Sequence, residues 1–242
     1  MGSVIGMSNA RVAKMVDAPV LMIAGGGIGN VVDSVYLNLA LYKSEGADVR
    51  MILINKLIAA KRENTLKYLD KAFKNEKFEV LGGLNYSPIL ANPTLNHISK
   101  LLKLPLYGNQ DDANRIVHAI QLGAASAQRV VDLLQTSSLV VVTSSRDELI
   151  VTLSSLYHDV PEYREKIAGM VIAGISPLSN VTRQILDNCN IPYMRATDTT
   201  KNIFLTLSED VSKISALDIE KINHIQTTVE NTQIFKKIDP LF

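Results

Sequence analysis

A glycine-rich segment is the first place where this sequence could do chemistry. Residues 24–30 read AGGGIGN, between an apolar run and a helix-periodic stretch. Backbone N–H groups of such a turn, at the start of a helix, can receive an anion, so the candidates are Gly25, Gly26, Gly27 and Gly29. A tight turn in which glycines relieve crowding is the other interpretation. The spacing matches neither a dinucleotide fingerprint nor a phosphate-binding loop, because the third glycine position falls at Asn30 and no Lys-Ser/Thr pair follows.

A second candidate lies at the end of the next apolar run, where Asn55 precedes Lys56. An Asn at this point can hydrogen-bond the edge of a purine while the Lys stem lies along its ring. A strand-end Asn that caps the following turn is an equally weighted alternative. Ile58 stands where a guanine-selecting acid is expected, so a purine bound here is predicted to be adenine.

The third candidate is the segment SSRDE at residues 144–148. It is typical of a helix N-cap followed by acids in the first turn, and Arg146 at a strand end could recognise an anion or a partner carboxylate. The four histidines lack ligand-like spacing, so no metal site is predicted. No Ser/His/Asp or Cys/His set can be assembled, so no catalytic residue is predicted.

The elements that must position these residues alternate between strand and helix, which predicts an α/β fold with parallel sheets and helices on both faces. Ligands of such folds bind at the carboxyl ends of the strands. The predicted strands are residues 20–24, 49–55, 78–84, 139–143, 170–175 and 191–196. The predicted helices are residues 8–16, 29–44, 62–73, 92–102, 113–134, 146–156, 179–188, 199–207 and 215–230.

The strand pattern is interrupted between residues 84 and 139, where a turn-rich stretch and a long Ala-rich helix over residues 113–134 are expected. This interruption predicts two successive α/β modules, residues 1–106 and 107–242. The apolar face of the long helix is expected to pack in a core.

Charge and cysteine content narrow the class of protein. Lys and Arg number 25 against 24 Asp and Glu, so bulk charge attracts neither nucleic acid nor an anionic membrane. Cys189 is the single cysteine, which is typical of a reducing cytoplasm. No export signal or membrane-spanning run is present in the sequence, so a cytoplasmic protein without membrane contact is predicted.

The order of these segments resembles the C-terminal part of a dethiobiotin synthetase-like P-loop ATPase module joined to a DRTGG domain. The same pairing occurs in the N-terminal region of long bacterial phosphate acetyltransferases and in AAA-family or cobyrinate diamide synthase-like proteins. The resemblance rests on MSNARVAK at residues 7–14, AGGGIG at 24–29, INK at 54–56 and LGGLNY at 81–86. Asn85 departs from the family pattern, which usually has Pro there.

The second module carries a weaker resemblance to the DRTGG pattern. SRDE at residues 145–148 resembles its GDRED end, and AGI at 173–175 stands where TGG is expected. The resemblance implies a regulatory or ligand-binding role for Arg146, Asp147 and Gly174, and homodimers.

The Walker A loop of the resembling family would lie before Met1. The resemblance therefore implies a regulatory or ligand-binding protein that is not a competent enzyme alone, with ATP and Mg²⁺ as ligands only if that segment is supplied. One alternative is a fragment of an ATP-dependent ligase that activates a carboxylate, of the dethiobiotin or cobyrinate amidation type. The other is the regulatory part of a phosphate acetyltransferase, which needs a separate catalytic partner subunit.

Overall fold

The computed structural model describes residues 2–232 and 234–241. The chain divides into two compact units, one of residues 1–87 with 222–242 and the other of residues 88–221. The boundary predicted at residues 106/107 differs from this division. Leu95 and Ile98 pack in the core of the second unit, so that unit begins earlier than the turn-rich stretch.

Helices and strands alternate through both units, as the apolar runs predicted. The helices are α1 Asn9–Met15, α2 Ile28–Glu45, α3 Arg62–Ala72, α4 Pro88–Ala91, α5 Leu95–Leu102, α6 Ala127–Asp132, α7 Asp147–Asp159, α8 Pro161–Lys166, α9 Asn180–Cys189, α10 Thr200–Glu209, α11 Ile219–Asn231 and α12 Ile234–Ile238. The strands are β1 Val20–Gly25, β2 Val49–Leu57, β3 Glu79–Asn85, β4 Leu106–Tyr107, β5 Ala119–Leu122, β6 Ser138–Thr143, β7 Ile167–Ala173 and β8 Tyr193–Arg195. Short 3₁₀ helices cover Gly2–Ile5, Ala59–Lys61, Gln110–Asn114 and Asp239–Leu241.

Local side chains explain where many of these helices start and stop. Hydroxyl N-caps accept a hydrogen bond from the third helical N–H, which satisfies a donor that the helix itself leaves open. Gly46 ends α2 in the left-handed region at φ +69°, which a glycine adopts without steric cost. The hydroxyl caps are Ser8, Thr94, Ser126, Ser179 and Thr199.

The first unit contains a three-stranded parallel sheet in the order β1-β2-β3. Apolar side chains of α2 and α3 cover one face of β2, and Ile234 of α12 packs with Met51 on the other. The strand β1 lies at the edge of this sheet, and Ile23 on it is 65% exposed.

The second unit contains a five-stranded sheet in the order β4-β8-β7-β6-β5. The strands β5 to β8 are parallel, whereas β4 pairs antiparallel with β8. One face packs against α6, α7 and α9, and the other against α5 and α10. Every residue of β7 is buried, as expected for a central strand between two helical layers. The predicted α/β class, with parallel sheets and helices on both faces, is confirmed.

The long helix predicted over residues 113–134 is wrong. That stretch instead contains β5 and the short helix α6. Residues 119–122 pair in parallel with β6. Gly123 then packs so tightly that an added Cβ would lie 2.8 Å from a methyl carbon of Leu149. Helical spacing of the apolar residues was therefore accidental, because pairing with β6 and this close approach decide the local structure.

Among residues 2–232 and 234–241, no helix combines the length and the apolar character needed to cross a membrane.

Candidate functional site

The predicted glycines lie at the carboxyl end of the first sheet, beside the predicted Asn. Gly25 ends β1 and is in register with Asn55 of β2, and an added Cβ on Gly25 would lie 3.1 Å from the Asn55 carbonyl oxygen. Gly26 follows at φ +113°, a conformation that side chains strongly disfavour. Gly27 is the N-cap of α2, and Gly29 lies in its first turn. The glycines therefore allow the close approach and the sharp turn that lead into the helix.

Asn55 makes a local hydrogen bond in this structure. Its Oδ1 accepts from the backbone N–H of Lys56 at 2.9 Å, and Lys56 itself has a positive φ of +60°. This is the turn-capping arrangement that stood as the alternative to purine recognition. The Asn55 amide nitrogen, Nδ2, has no hydrogen-bond partner among the described residues.

A cavity of about 400 Å³ lies in the first unit at this edge of the sheet. It brings together Gly26, Gly27 and Lys56 of the predicted residues, whereas Gly25, Gly29 and Asn55 do not line it. The other lining residues are Ile28, Leu57, Ile58, Lys61 and Thr65. The site thus combines the start of an 18-residue helix with two lysines.

The electrostatics of this cavity favour an anion. Within the part of the chain that the structure describes, neither Lys56 nor Lys61 forms an ion pair with a protein carboxylate. No Asp or Glu lines the cavity. The positive end of the α2 dipole adds to the two ammonium charges.

Two of these residues, Lys61 and Thr65, were missed at the level of sequence. Lys61 is the N-cap of α3 and Thr65 lies in the first turn of that helix, and their four-residue spacing was the available signal. Next to them, Arg62 donates from Nη1 to the Gly83 carbonyl at 2.6 Å and to Asn85 Oδ1 at 3.0 Å. Asn85, where the resembling family has Pro, therefore helps to fix the start of α3 to the end of β3.

In the second unit, the predicted Arg146 forms hydrogen bonds with other residues of that unit. Its Nη1 donates to the carbonyls of Gly123 and Ala125 at 2.9 and 2.6 Å, and its Nε donates to Glu148 at 2.7 Å. The hydrogen bond from Arg146 is the largest cause that lowers the pKa of Glu148. Arg146 therefore fastens the turn after β5 to the start of α7.

The two other predicted residues of this unit also make internal contacts. Asp147 accepts from the Thr182 hydroxyl at 3.0 Å, which joins α7 to α9. Gly174 follows β7 at φ +107°, and an added Cβ would lie 3.2 Å from Ser144 Oγ. Arg195, at the same sheet edge, donates to backbone carbonyls of residues 172, 176 and 196. Two cavities of this unit, of about 360 and 320 Å³, have linings that include neither Arg146, Asp147 nor Gly174.

Comparisons with known proteins relate this chain to a family model over part of its length and to a solved structure over most of it. A family model described as an AAA domain matches residues 2–94. Curated proteins give no match. Among solved structures, the chain is similar to the CBS and DRTGG domains of the regulatory region of Clostridium perfringens pyrophosphatase, crystallised with its activator diadenosine tetraphosphate. That match has a TM-score of 0.39 and 10% identity, and covers 86% of this chain and 85% of the other. At this TM-score it assigns neither a fold nor a ligand here, whereas the AAA-domain match supports the relation of the first module to P-loop ATPases.

Proposed function

We propose that this protein is a ligand-binding regulatory relative of P-loop ATPases whose first unit binds the phosphates of an adenine nucleotide. The observation that carries the proposal is the cavity where Gly26 and Gly27, at the start of α2, face Lys56 and Lys61. Phosphate oxygens would accept from the helix N–H groups and from both ammonium groups.

The size of the cavity and the free groups around it suit this ligand class. About 400 Å³ is within the range of small-molecule sites. Leu57 and Ile58 give the cavity an apolar wall beside its charged groups. Asn55 lies one residue before Lys56, and its Nδ2 donor, which has no partner among the described residues, is available to the edge of a base.

The proposed activity is binding of a nucleotide without its hydrolysis. Phosphoryl transfer in P-loop enzymes uses a loop with the pattern G-x-x-x-x-G-K-[ST], whose Lys and hydroxyl hold the phosphates and Mg²⁺. The pattern does not occur in these 242 residues. We therefore infer that the 242-residue chain binds nucleotide without turning it over.

Calorimetric titration of the full chain with ATP, ADP and AMP, with and without Mg²⁺, tests the proposal. Lys61→Met and Lys56→Asn each remove one ammonium, and Asn tolerates the positive φ at residue 56. Because a hydrogen bond to a charged group is worth about 1.5–3 kcal/mol, each variant should weaken ATP binding about ten- to a hundredfold.

Lys67→Met is the matched control, since Lys67 is exposed on α3 and does not line the cavity. Equal losses of ATP affinity in Lys61→Met and Lys67→Met would mean that the net charge of the chain causes the loss, which would contradict the proposed site. Rapid ATP hydrolysis by the purified chain would overturn the regulatory assignment and favour the ligase alternative.

A further inference from the structure

A second cavity, of about 360 Å³, lies in the second unit and belongs to none of the predicted sites. It is near the amino ends of β6 and β7, the opposite sheet edge from Arg146. Its polar lining comes from Asp112, Arg115, Tyr157, His158, Arg164 and Glu165.

Arg115 is held in place by neutral groups. Its Nε donates to Ser137 Oγ at 3.1 Å and its Nη2 to the Glu165 carbonyl at 2.6 Å. Ser137 is buried, has a positive φ of +54°, and donates its hydroxyl to the Ile116 carbonyl. Arg115 is thus oriented by a rigid support, and its Nη1 has no protein acceptor among the described residues.

Arg164 faces the same cavity and rests on an aromatic ring. Its guanidinium lies 5.3 Å from the centroid of Tyr157, a cation–π arrangement that leaves its N–H donors open. In the described part of the chain, no carboxylate forms an ion pair with Arg164. A guanidinium offers a planar fork of donors that fits phosphate and carboxylate oxygens.

Two acids, Asp112 and Glu165, also line the cavity, but within the described residues they take up none of the open donors of the two arginines. Tyr157 is 1% exposed and donates its hydroxyl to Asp112 Oδ2 at 2.7 Å, which fixes the orientation of that carboxylate and leaves its charge in place. Burial first, and then this hydrogen bond, raise the pKa of Tyr157. Glu165 is exposed, and its side chain forms no ion pair with either arginine.

We propose that this cavity is a binding site for a small phosphate monoester, with the phosphate between Arg115 and Arg164. A phosphate monoester has three acceptor oxygens and close to two negative charges. It can therefore accept hydrogen bonds from both guanidinium groups at once, which a carboxylate, with two oxygens and one charge, does less well. The volume exceeds that of inorganic phosphate, so an organic group is accommodated as well. The site is independent of the nucleotide cavity, because all its residues belong to the second unit.

Titration of the ¹⁵N-labelled full chain with glycerol 3-phosphate, at constant ionic strength, tests the site. The backbone amides of α8 (Pro161–Lys166) should shift and saturate. Arg164→Met should weaken binding at least tenfold, whereas Arg183→Met, an exposed arginine on α9, should leave the dissociation constant unchanged.

Three outcomes would overturn the proposal. The first is an equal loss in Arg164→Met and Arg183→Met, which would indicate general charge attraction. The second is loss of the α8 shifts in Lys61→Met with retention in Arg164→Met, which would place binding in the first unit. The third is saturation by acetate at the same concentration as by glycerol 3-phosphate, which would indicate a carboxylate site.

Discussion

Both units have charged side chains at or near the carboxyl ends of parallel strands, but these side chains have different surroundings. In the second unit, Arg146 and Arg195 donate to backbone carbonyls of neighbouring strand ends. In the first unit, Lys56 and Lys61 line a cavity and form no ion pair within the described residues. Both of these arginines therefore support the fold of the second unit, whereas the first unit combines one supporting cation, Arg62, with two lysines that stay open to a ligand.

The difference follows from how each sheet is packed. The central strand β7 of the second unit is buried throughout, and charges near its end must be satisfied by hydrogen bonds within the protein. The first unit has a narrower sheet whose edge strand β1 is only partly buried. Lys56 and Lys61 are exposed, so their ammonium groups are accessible to a ligand.

The largest expected effect is on the free energy of unfolding, when one isoleucine of each sheet is replaced by alanine. Ile172 of β7 is 0% exposed, and Ile172→Ala should lower the free energy of unfolding by about 2–5 kcal/mol because it leaves a cavity. Ile23→Ala on the exposed face of β1 should change it by less than about 0.5 kcal/mol. Urea unfolding followed by circular dichroism measures both. Similar losses would contradict the exposed position of Ile23.

Arg146→Met should produce the next largest effect. It removes the donors to Gly123, which is buried, and to Ala125, which is exposed, and a buried carbonyl left without a donor costs about 1–3 kcal/mol. Hydrogen exchange of β5 and α7 amides should become faster, while nucleotide affinity stays unchanged. Arg129→Met, at an exposed position on α6, is the control. Unchanged stability in Arg146→Met would mean that these hydrogen bonds do not support the fold.

A smaller effect is the pH dependence of stability that Lys221 causes. Unlike the exposed lysines of the first unit, Lys221 is buried. Lys221 is 0% exposed, and its Nζ donates to the Asn92 carbonyl at 2.5 Å. Burial lowers its pKa, although Asp218 opposes this shift. The folded state therefore releases this proton at a lower pH than the unfolded chain does. Stability of the wild type relative to Lys221→Met should rise with pH from the lowered pKa up to about 10.4, the value of an unfolded lysine.

Urea titrations of both chains between pH 7 and about 10.5 measure this difference. The Lys221→Met chain removes the contribution of every other titrating group from the comparison. A difference in stability that stays flat, or that falls with pH, would contradict a lowered pKa at Lys221.

The sequence predicted strands correctly where the local pattern of apolar residues and the tertiary packing favour the same structure. The runs that became β1, β2 and β3 are rich in β-branched and apolar residues and have Gly or Asn at or near their carboxyl ends, and their positions were predicted within two residues. The strand β5 was not, because Ile116, Val117 and Ile120 fit a helical period as well as a strand. Pairing with β6 decides between them, and a single sequence does not show pairing.

The residues of the candidate site were also predicted only in part from the sequence. Residue types identified Gly26, Gly27 and Lys56, which the structure places on one cavity. Lys61 was missed because the connection after β2 returns to the strand end, a feature of tertiary structure. The type of Arg146 suggested anion recognition, but its partner carbonyls come from a distant turn that the sequence does not connect to it.

Calorimetric titration with ATP of the wild type, the Lys56→Asn/Lys61→Met chain and the Arg146→Met chain tests the contrast between the units most directly. The account predicts a loss of about a hundredfold or more in the double variant, because two charge-assisted contacts are removed, and wild-type affinity in Arg146→Met. Full affinity in the double variant together with a loss in Arg146→Met would contradict it, since the nucleotide would then bind at the carboxyl edge of the second unit.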